Sequence, residues 1–339
     1  MLEPQVPLIN EKPLIISLFS GAGGLDLGFK NEGYKIALAI DSESSAIDTH
    51  KHNFEGTESI VADLTKLGPK GVLKHVIKNV APGSRIGVIG GPPCQGFSRA
   101  NISSQPDDPR NLLPVLYVKI IRELQKRYTV EFVIFENVLG MKDKKHSAKY
   151  SGLIKGLQKL GLDITEKELC AIDYGVPQKR NRIIVSALRK GQGYTTVIPE
   201  KKTGMTTVKE AIGSLPGPVF FDRSLKGDEI PFHPNHWTMK PKSPKFNQPI
   251  AEGHKTRSFR RLKWDKASPT IAFGNREIHI HPNGTRRLSI YEAMLLQGFP
   301  ETFVLKGNLS QQVQQISNAV PPPLAKSLAA ALSKSMGDY

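Results

Sequence analysis

Short apolar runs alternate with stretches of helical spacing through the first half of the chain. Residues 14–19 are a continuous apolar run that predicts a buried strand, followed by the glycine turn Ser20-Gly-Ala-Gly-Gly24 and a helix. Residues 34–40 predict a second strand running out at Asp41, and residues 59–63 a third ending at Asp63. Residues 85–91 and 131–138 predict a fourth and a fifth, the latter with Glu136 at its end. Between them, Leu112, Val115, Leu116, Ile120 and Leu124 recur at helical spacing over residues 111–127, the crossover of a βαβ unit. Residues 163–173 and 182–188 read as a hairpin pair across 174–181. Residues 321–336 predict an amphipathic helix that starts on a proline-rich turn. No internal repeat is evident.

Such a pattern predicts an open α/β sheet, and open α/β sheets bind their ligands beyond the carboxyl ends of the strands. The residues to interrogate are therefore Gly21–Gly24, Asp41, Asp63, Pro92–Ser98 and Glu136–Val138.

Composition narrows the class. The 339 residues are 39% hydrophobic and 23% charged, as in an ordinary globular protein. No apolar run reaches the roughly eighteen residues of a spanning helix, so no membrane association is expected. Residues 1–12 have neither a basic start nor an apolar core, so no secretory leader is expected. Two cysteines, Cys94 and Cys170, make neither a disulfide framework nor a four-cysteine zinc site; a reducing cytoplasm is the expected compartment, and no metal site is expected.

Charge changes the picture more. The net charge of +16 favours a polyanionic partner, with nucleic acid foremost. It is unevenly spread: residues 186–275 hold 16 Lys+Arg against 7 Asp+Glu, over half the excess in about a quarter of the chain. This stretch is also proline-rich and irregular. It reads either as a solvated insert or as a docking surface for phosphates, with aromatic and amide side chains for base edges.

At the first strand end, Gly21 and Gly23 let backbone approach a ligand closely, but Leu25-Asp26 stands where a dinucleotide fingerprint needs its third glycine. The Lys-Ser/Thr of a phosphate loop is missing too. Asp41 lies about twenty residues on, where a ribose would be held. Asp63 could accept from an adenine amino group, or could simply cap the following helix. Ribose and adenine contacts without a diphosphate cradle suit S-adenosylmethionine better than NAD.

The most informative stretch is Gly90-Gly-Pro-Pro-Cys-Gln-Gly-Phe-Ser98. Cys170, within an apolar strand, reads as a small buried hydrophobe. Cys94 follows two glycines and two prolines at a strand end, a stiff setting that aims a side chain outward, where a thiolate is a nucleophile. Arg180 and Arg182 alternate at a strand entry and so are expected to point the same way, where two guanidiniums would favour a nearby thiolate.

At these points, and at others, the sequence resembles the DNA (cytosine-5) methyltransferases of the bacterial restriction–modification type. The residues that carry the resemblance are Leu18-Phe-Ser-Gly-Ala-Gly-Gly24, Pro92-Pro-Cys-Gln95, Asp108-Pro-Arg-Asn-Leu-Leu113, Phe135-Glu-Asn-Val138 and Gln178-Lys-Arg-Asn-Arg182. They continue with Arg287-Leu-Ser-Ile-Tyr-Glu-Ala293, Gln297-Gly-Phe-Pro300 and Ile316-Ser-Asn-Ala-Val-Pro-Pro322. The motifs fall in the family's order from about Leu14 to the C-terminus and leave only the basic insert uncovered. Asp41 departs mildly, since the family often has Glu there; the carboxylate is kept but its reach is shorter.

The resemblance implies a Rossmann-like S-adenosylmethionine-dependent methyltransferase sheet with helices on both faces, plus a smaller irregular target-recognition domain. It divides the chain into a catalytic and cofactor-binding domain (1–188), a target-recognition domain (189–276), a hinge segment (277–313) and a C-terminal helix returning to the catalytic domain (314–339). It implies that Cys94 adds to C6 of cytosine, that Glu136 shares a proton with N3, and that Arg182, more than Arg180, contacts the base, with Asn137 fixing the loop. Cofactor contacts are expected from Phe19, Gly21, Gly23, Gly24, Asp41, Asp63, Leu64, Pro92, Leu113, Asn318 and Val320. The target base has to leave the helix stack, which costs a few kcal/mol. Residues 96–109 read as a loop closing over DNA, with Ser98, Arg99 and Gln105 as candidate contacts. Arg257, Arg260, Arg261 and Lys263 form the densest basic cluster of the insert, some of them for phosphates.

The expected partner is double-stranded DNA, with a cognate restriction endonuclease acting separately and the enzyme itself a monomer associated with the nucleoid through DNA. Rival readings are a tRNA cytosine-5 methyltransferase with the same motifs, a non-catalytic nucleic-acid-binding relative, which would be expected to lack Cys94 or Glu136, and a nicotinamide-dependent oxidoreductase.

Overall fold

Seven strands carry the expected alternation into one sheet. The computed structural model describes residues 11–93, 112–222, 224–241, 243–250, 258–271 and 278–337. The strands that lead into the sheet are β1 (Leu14–Leu18), β2 (Ile36–Asp41), β3 (Glu58–Val61), β4 (Arg85–Gly90), β5 (Thr129–Asn137) and β6 (Leu162–Cys170). A two-residue strand, β7 (Gln178–Lys179), precedes the seventh, β8 (Asn181–Arg189). Helices α1 (Gly24–Asn31), α2 (Ser44–Asn53), α3 (Leu64–Asn79), α4 (Leu113–Leu124) and α5 (Ser147–Lys159) fill the connections.

The strand order is β3-β2-β1-β4-β5-β8-β6. The first five are parallel, and β8 runs antiparallel between β5 and β6. The order reverses between β1 and β4, the switch point at which such sheets open a crevice. Register makes that crevice a shared rim: Ile40, Leu18, Gly90 and Phe135 lie abreast across four strands. The residues that follow them, Asp41, Phe19, Gly91 and Glu136, therefore emerge side by side.

Both faces are covered over β1, β2, β4, β5 and β8, which is why these strands read as apolar runs rather than alternating ones. Ile15, Ile36, Ile89 and Ile134 face a core shared with α1. Ile16, Leu38, Val88 and Val133 face the other way, against α3, α4 and α5.

The basic stretch is built of short pieces, α6 (Val208–Ile212), β9 (Val219–Phe220), β10 (Trp237–Thr238), β11 (Arg260–Arg261) and β12 (Ser268–Pro269), and β13 (His279–Ile280) follows it. Strand β12 pairs with β7, tying this stretch to the connection between β6 and β8. A separate apolar cluster of Val208, Ile212, Leu262, Ile271 and Leu288 closes against Leu296 of α7 (Ile290–Leu296). The chain then forms α8 (Leu309–Asn318) and α9 (Pro322–Met336).

Helix α9 starts at a proline and packs on α1, in the core that holds Leu324, Ala325 and Leu328. The contact is close because α1 has glycine at position 28, where an added Cβ would overlap Ala325. Tyr34 and Ser333 share a buried hydrogen bond of 3.0 Å across the same seam. Gly28→Ala is expected to cost about 1–3 kcal/mol by overpacking the seam. Chemical denaturation measures this; a midpoint equal to that of the wild type would show that the seam gives way freely.

Three sequence expectations shift. The third strand stops at Val61 rather than Asp63, because Asp63 caps α3. The strand expected over 163–173 ends at Cys170, where a 3₁₀ turn over Ala171–Tyr174 leads to Gly175 at φ 81°. Cys170 is partly exposed there rather than buried.

Candidate active site and cofactor pocket

The turn after β1 is held open by backbone geometry. Phe19 (φ 56°), Gly21 (φ 54°) and Gly23 (φ 88°) all take left-handed conformations, so the chain doubles back tightly before α1. Asp41 secures it: its Oδ2 accepts from the Gly21 amide at 2.8 Å and its Oδ1 from the Glu43 amide at 3.0 Å. Burial pushes the Asp41 carboxyl above the usual range, against those two amides, which favour the charged form. Gly24 meets the returning chain, where an added Cβ would overlap the Val320 carbonyl oxygen.

Asp63 serves as the helix cap that the sequence left open as one of two roles. Its Oδ1 accepts from the Thr65 hydroxyl at 2.7 Å and the Thr65 amide at 2.8 Å, and these bonds hold its carboxyl below the usual range. The residue also borders the cavity described below, so the cap does not exclude a ligand contact.

Strand β4 delivers Gly91-Pro92-Pro93 to the neighbouring position on the rim. Cys94 lies outside the described residues, as do Ser98, Arg99, Gln105 and Arg257. What leads into Cys94 is fixed: Asn137 at the end of β5 donates from Nδ2 to the Pro92 carbonyl at 3.2 Å and accepts from the Val138 amide at 2.9 Å. The expectation that Asn137 holds the loop agrees with these bonds. Glu136, buried at 6% exposure, turns its Oε1 to Arg182 Nε at 2.7 Å. Position 91 has to be glycine for this carboxylate to lie where it does, since an added Cβ would come 2.7 Å from Glu136 Oε2.

Arg180 and Arg182 both face the cavity, but their partners differ. Arg182 meets Glu136, whereas Arg180, 2% exposed, donates to the Ser317 carbonyl at 2.8 Å.

These side chains line one cavity of about 530 Å³. Of the expected cofactor residues, Phe19, Gly21, Gly24, Asp41 and Asp63 border it, and so do Leu64, Pro92, Leu113, Asn318 and Val320. Gly23 does not: it backs onto the stacked rings of His50 and Phe54, and its role is to let the turn settle on them. Sequence reasoning missed Gln311, Gln314 and Gln315, which α8 adds to the wall. Their signal was the capping box Asn308-x-x-Gln311, which starts α8 and is formed in both directions.

The chemistry of the lining fits an adenosyl methyl donor. Carboxylates of Asp41, Glu43 and Asp63 border the end built by β2 and β3, while Arg180 and Arg182 stand with Glu136 at the other. A diphosphate would meet acceptors at the acidic end, whereas ribose hydroxyls and an adenine amino group would meet what they need.

In the basic stretch, Arg260 and Lys263 are exposed, and Arg261 is partly buried. Arg261 donates to the Pro282 carbonyl, so its guanidinium builds the turn beside β11 and β13.

Comparison with known proteins agrees with this site. The family model for C-5 cytosine-specific DNA methylase matches residues 14–334. The chain belongs to this family. It is thereby a cytosine-C5 DNA methyltransferase, and the cofactor of these enzymes is S-adenosylmethionine. Among curated relatives, the Type II methyltransferase M.NmeDI of Neisseria meningitidis serogroup C is 33% identical over 97% of this chain and 86% of its own. Type II methyltransferase M1.HphI of Haemophilus parahaemolyticus is 32% identical over 94% and 86%. A crystal structure described as a DNA modification methyltransferase encoded within an E. coli prophage superposes with a TM-score of 0.79 at 26% identity, covering 96% of this chain and all (100%) of that one. The S. pombe Dnmt2 methyltransferase shares the fold, with a TM-score of 0.65 at 17% identity over 95% and 99% of the two chains. Among the described residues, no helix of this C5 methyltransferase is long and apolar enough to cross a membrane.

Proposed function

We propose that this methyltransferase modifies a cytosine extruded from a specific duplex DNA sequence, through a covalent bond between Cys94 and C6 of the base, and so protects DNA from a partner endonuclease. The observation that carries the reading is the placement of Glu136. It sits on the same rim as Gly91-Pro92-Pro93, the segment that leads into Cys94, with Gly91 beneath its carboxylate and Arg182 at 2.7 Å.

Cytosine C5 is too poor a nucleophile to be methylated directly. Addition of the Cys94 thiolate to C6 pushes the C5–C6 π electrons toward C5, and Glu136 supplies the proton at N3 that keeps the ring from accumulating charge. Bound S-adenosylmethionine supplies an electrophilic methyl group for the activated C5. Return of the N3 proton to Glu136, loss of the C5 proton to a solvent base and cleavage of the sulfur–C6 bond then restore the neutral aromatic ring and return the thiolate. Arg182 orients the Glu136 carboxylate and presents a guanidinium to the base. Asn137 holds the Pro92 carbonyl, two residues before the cysteine. Asp41, Asp63 and Asn318 hold the cofactor, and the exposed Arg260 and Lys263 meet phosphates.

The Type II names of the relatives support a restriction–modification role. Incorporation of labelled methyl groups, compared between duplex DNA and tRNA, tests the substrate, and bisulfite mapping of DNA from expressing cells tests the position and the site. Methylation of cytosine C5 within one short recurring DNA sequence is expected. Transfer to tRNA alone would overturn the reading.

A further inference from the structure

One wall of the cofactor cavity, packed beside the glycine turn at Gly24, is a short piece of chain at the end of α8, and it is gripped at two points. Arg180 donates to the carbonyl of Ser317 at 2.8 Å, and Gln297 Nε2 donates to the carbonyl of Ala319 at 2.7 Å. The two carbonyls flank Asn318, which borders the cavity. Both donors are buried, at 2% and 1% exposure.

This arrangement has a physical rationale on each side. The last carbonyls of a helix have no partner within it, and a cation at the helix C-terminus is favoured by the helix dipole. The Ala319 amide closes onto Gln315 and Ile316, so Ser317 is the carbonyl that Arg180 is placed to satisfy. Burying a guanidinium is costly, and an apolar side chain would serve packing better. Gln297 is positioned in turn by Gln178, whose Nε2 donates to Gln297 Oε1 at 2.8 Å. Gln178 lies in β7, the strand paired with β12 of the basic stretch.

We propose that Arg180 and Gln297 are positioning residues for the cofactor pocket, a two-point clamp that holds Asn318 against the methyl donor, and that Arg180 does not act on the base. Through Gln178 and β7, the clamp joins this wall to the stretch that meets DNA. The proposal rests on the reading of the cavity as the S-adenosylmethionine site.

Arg180→Lys shortens the reach to Ser317 while keeping the charge, and Gln297→Met removes the donor to Ala319 while keeping the volume. The measurements are the dissociation constant for S-adenosylmethionine by calorimetry, KM for cofactor and for DNA, and the yield of adduct on duplexes carrying 5-fluorocytosine. Leaving a buried carbonyl without its donor is expected to weaken cofactor binding about 5- to 100-fold. KM for the cofactor should rise in parallel, with KM for DNA and adduct yield at saturating cofactor close to wild type. Cofactor affinity within twofold of wild type in both variants would overturn the clamp. So would an Arg180→Lys enzyme that binds cofactor normally yet forms no adduct, which would place Arg180 at the base. A wild-type enzyme that binds no S-adenosylmethionine would instead sink the reading of the cavity. If Arg180→Lys does not fold, judged by its thermal transition, Gln297→Met decides the matter alone.

Discussion

Cys94→Ala is expected to reduce methyl transfer to background while S-adenosylmethionine binds as it does to the wild type. The separation follows from the layout of the rim. The residues proposed to hold the cofactor come from β1, β2, the start of α3 and the end of α8, and their hydrogen bonds involve Gly21, Glu43, Thr65, Arg180 and Gln297. The turn that carries the cysteine is secured separately, through the Asn137 contact to Pro92. Removing one sulfur atom therefore deletes the group that makes C5 nucleophilic and disturbs none of those bonds. Without the addition to C6, an aromatic cytosine has no comparable route to alkylation at C5. Calorimetry with the cofactor and a labelled-methyl assay on duplex DNA read the two halves separately. A 5-fluorocytosine duplex adds a third reading: fluorine cannot leave as the C5 proton does, so the wild-type adduct persists, and the Ala variant should trap nothing. Appreciable turnover by Cys94→Ala would remove the covalent route.

The central strands of the sheet were legible because they are buried on both faces. Apolar runs such as those within Leu14–Leu18 and over residues 132–135 announce themselves without any help from tertiary context. The rim was legible for a related reason: a strand that ends in Asp41, or that carries Glu136 as its next-to-last residue, puts a carboxylate at the end of an apolar run. What escaped was set by contacts between distant segments. Helix α8 has a weakly apolar sequence rich in glutamine, and it is held by partners far away in the chain, with Thr49 donating to Gln315 at 2.7 Å and Arg180 donating to Ser317. Local spacing cannot encode such partners. The two arginines show the same limit. Alternation correctly put both on the cavity side, but which carbonyl or carboxylate each would meet depended on where the returning chain lay. The side of the turn that Gly23 faces was likewise decided by His50 and Phe54, two rings in and at the end of α2.

Glu136→Gln should slow transfer by about 10²–10⁴-fold, the scale of a lost acid–base group. The substitution is nearly isosteric, so it isolates the proton. Glutamine can still donate a hydrogen bond to N3 and still lies over Gly91, but it cannot give that nitrogen a proton as negative charge enters the ring. The contact with Arg182 changes too, from a carboxylate at 2.7 Å to a neutral amide oxygen, which weakens the hold on the guanidinium. Because both effects fall on the chemical step, the loss should appear in single-turnover rate, with DNA and cofactor affinity nearly unchanged. Gly91→Ala provides an independent approach to the same group. Its Cβ would lie 2.7 Å from Glu136 Oε2, so the carboxylate would have to move while remaining ionisable. A slowed Gly91→Ala enzyme with normal cofactor binding would trace the effect to the position of the carboxylate. A Glu136→Gln enzyme that methylates at the wild-type rate would show that N3 takes its proton from elsewhere, and Glu136 would then be only the partner of Arg182.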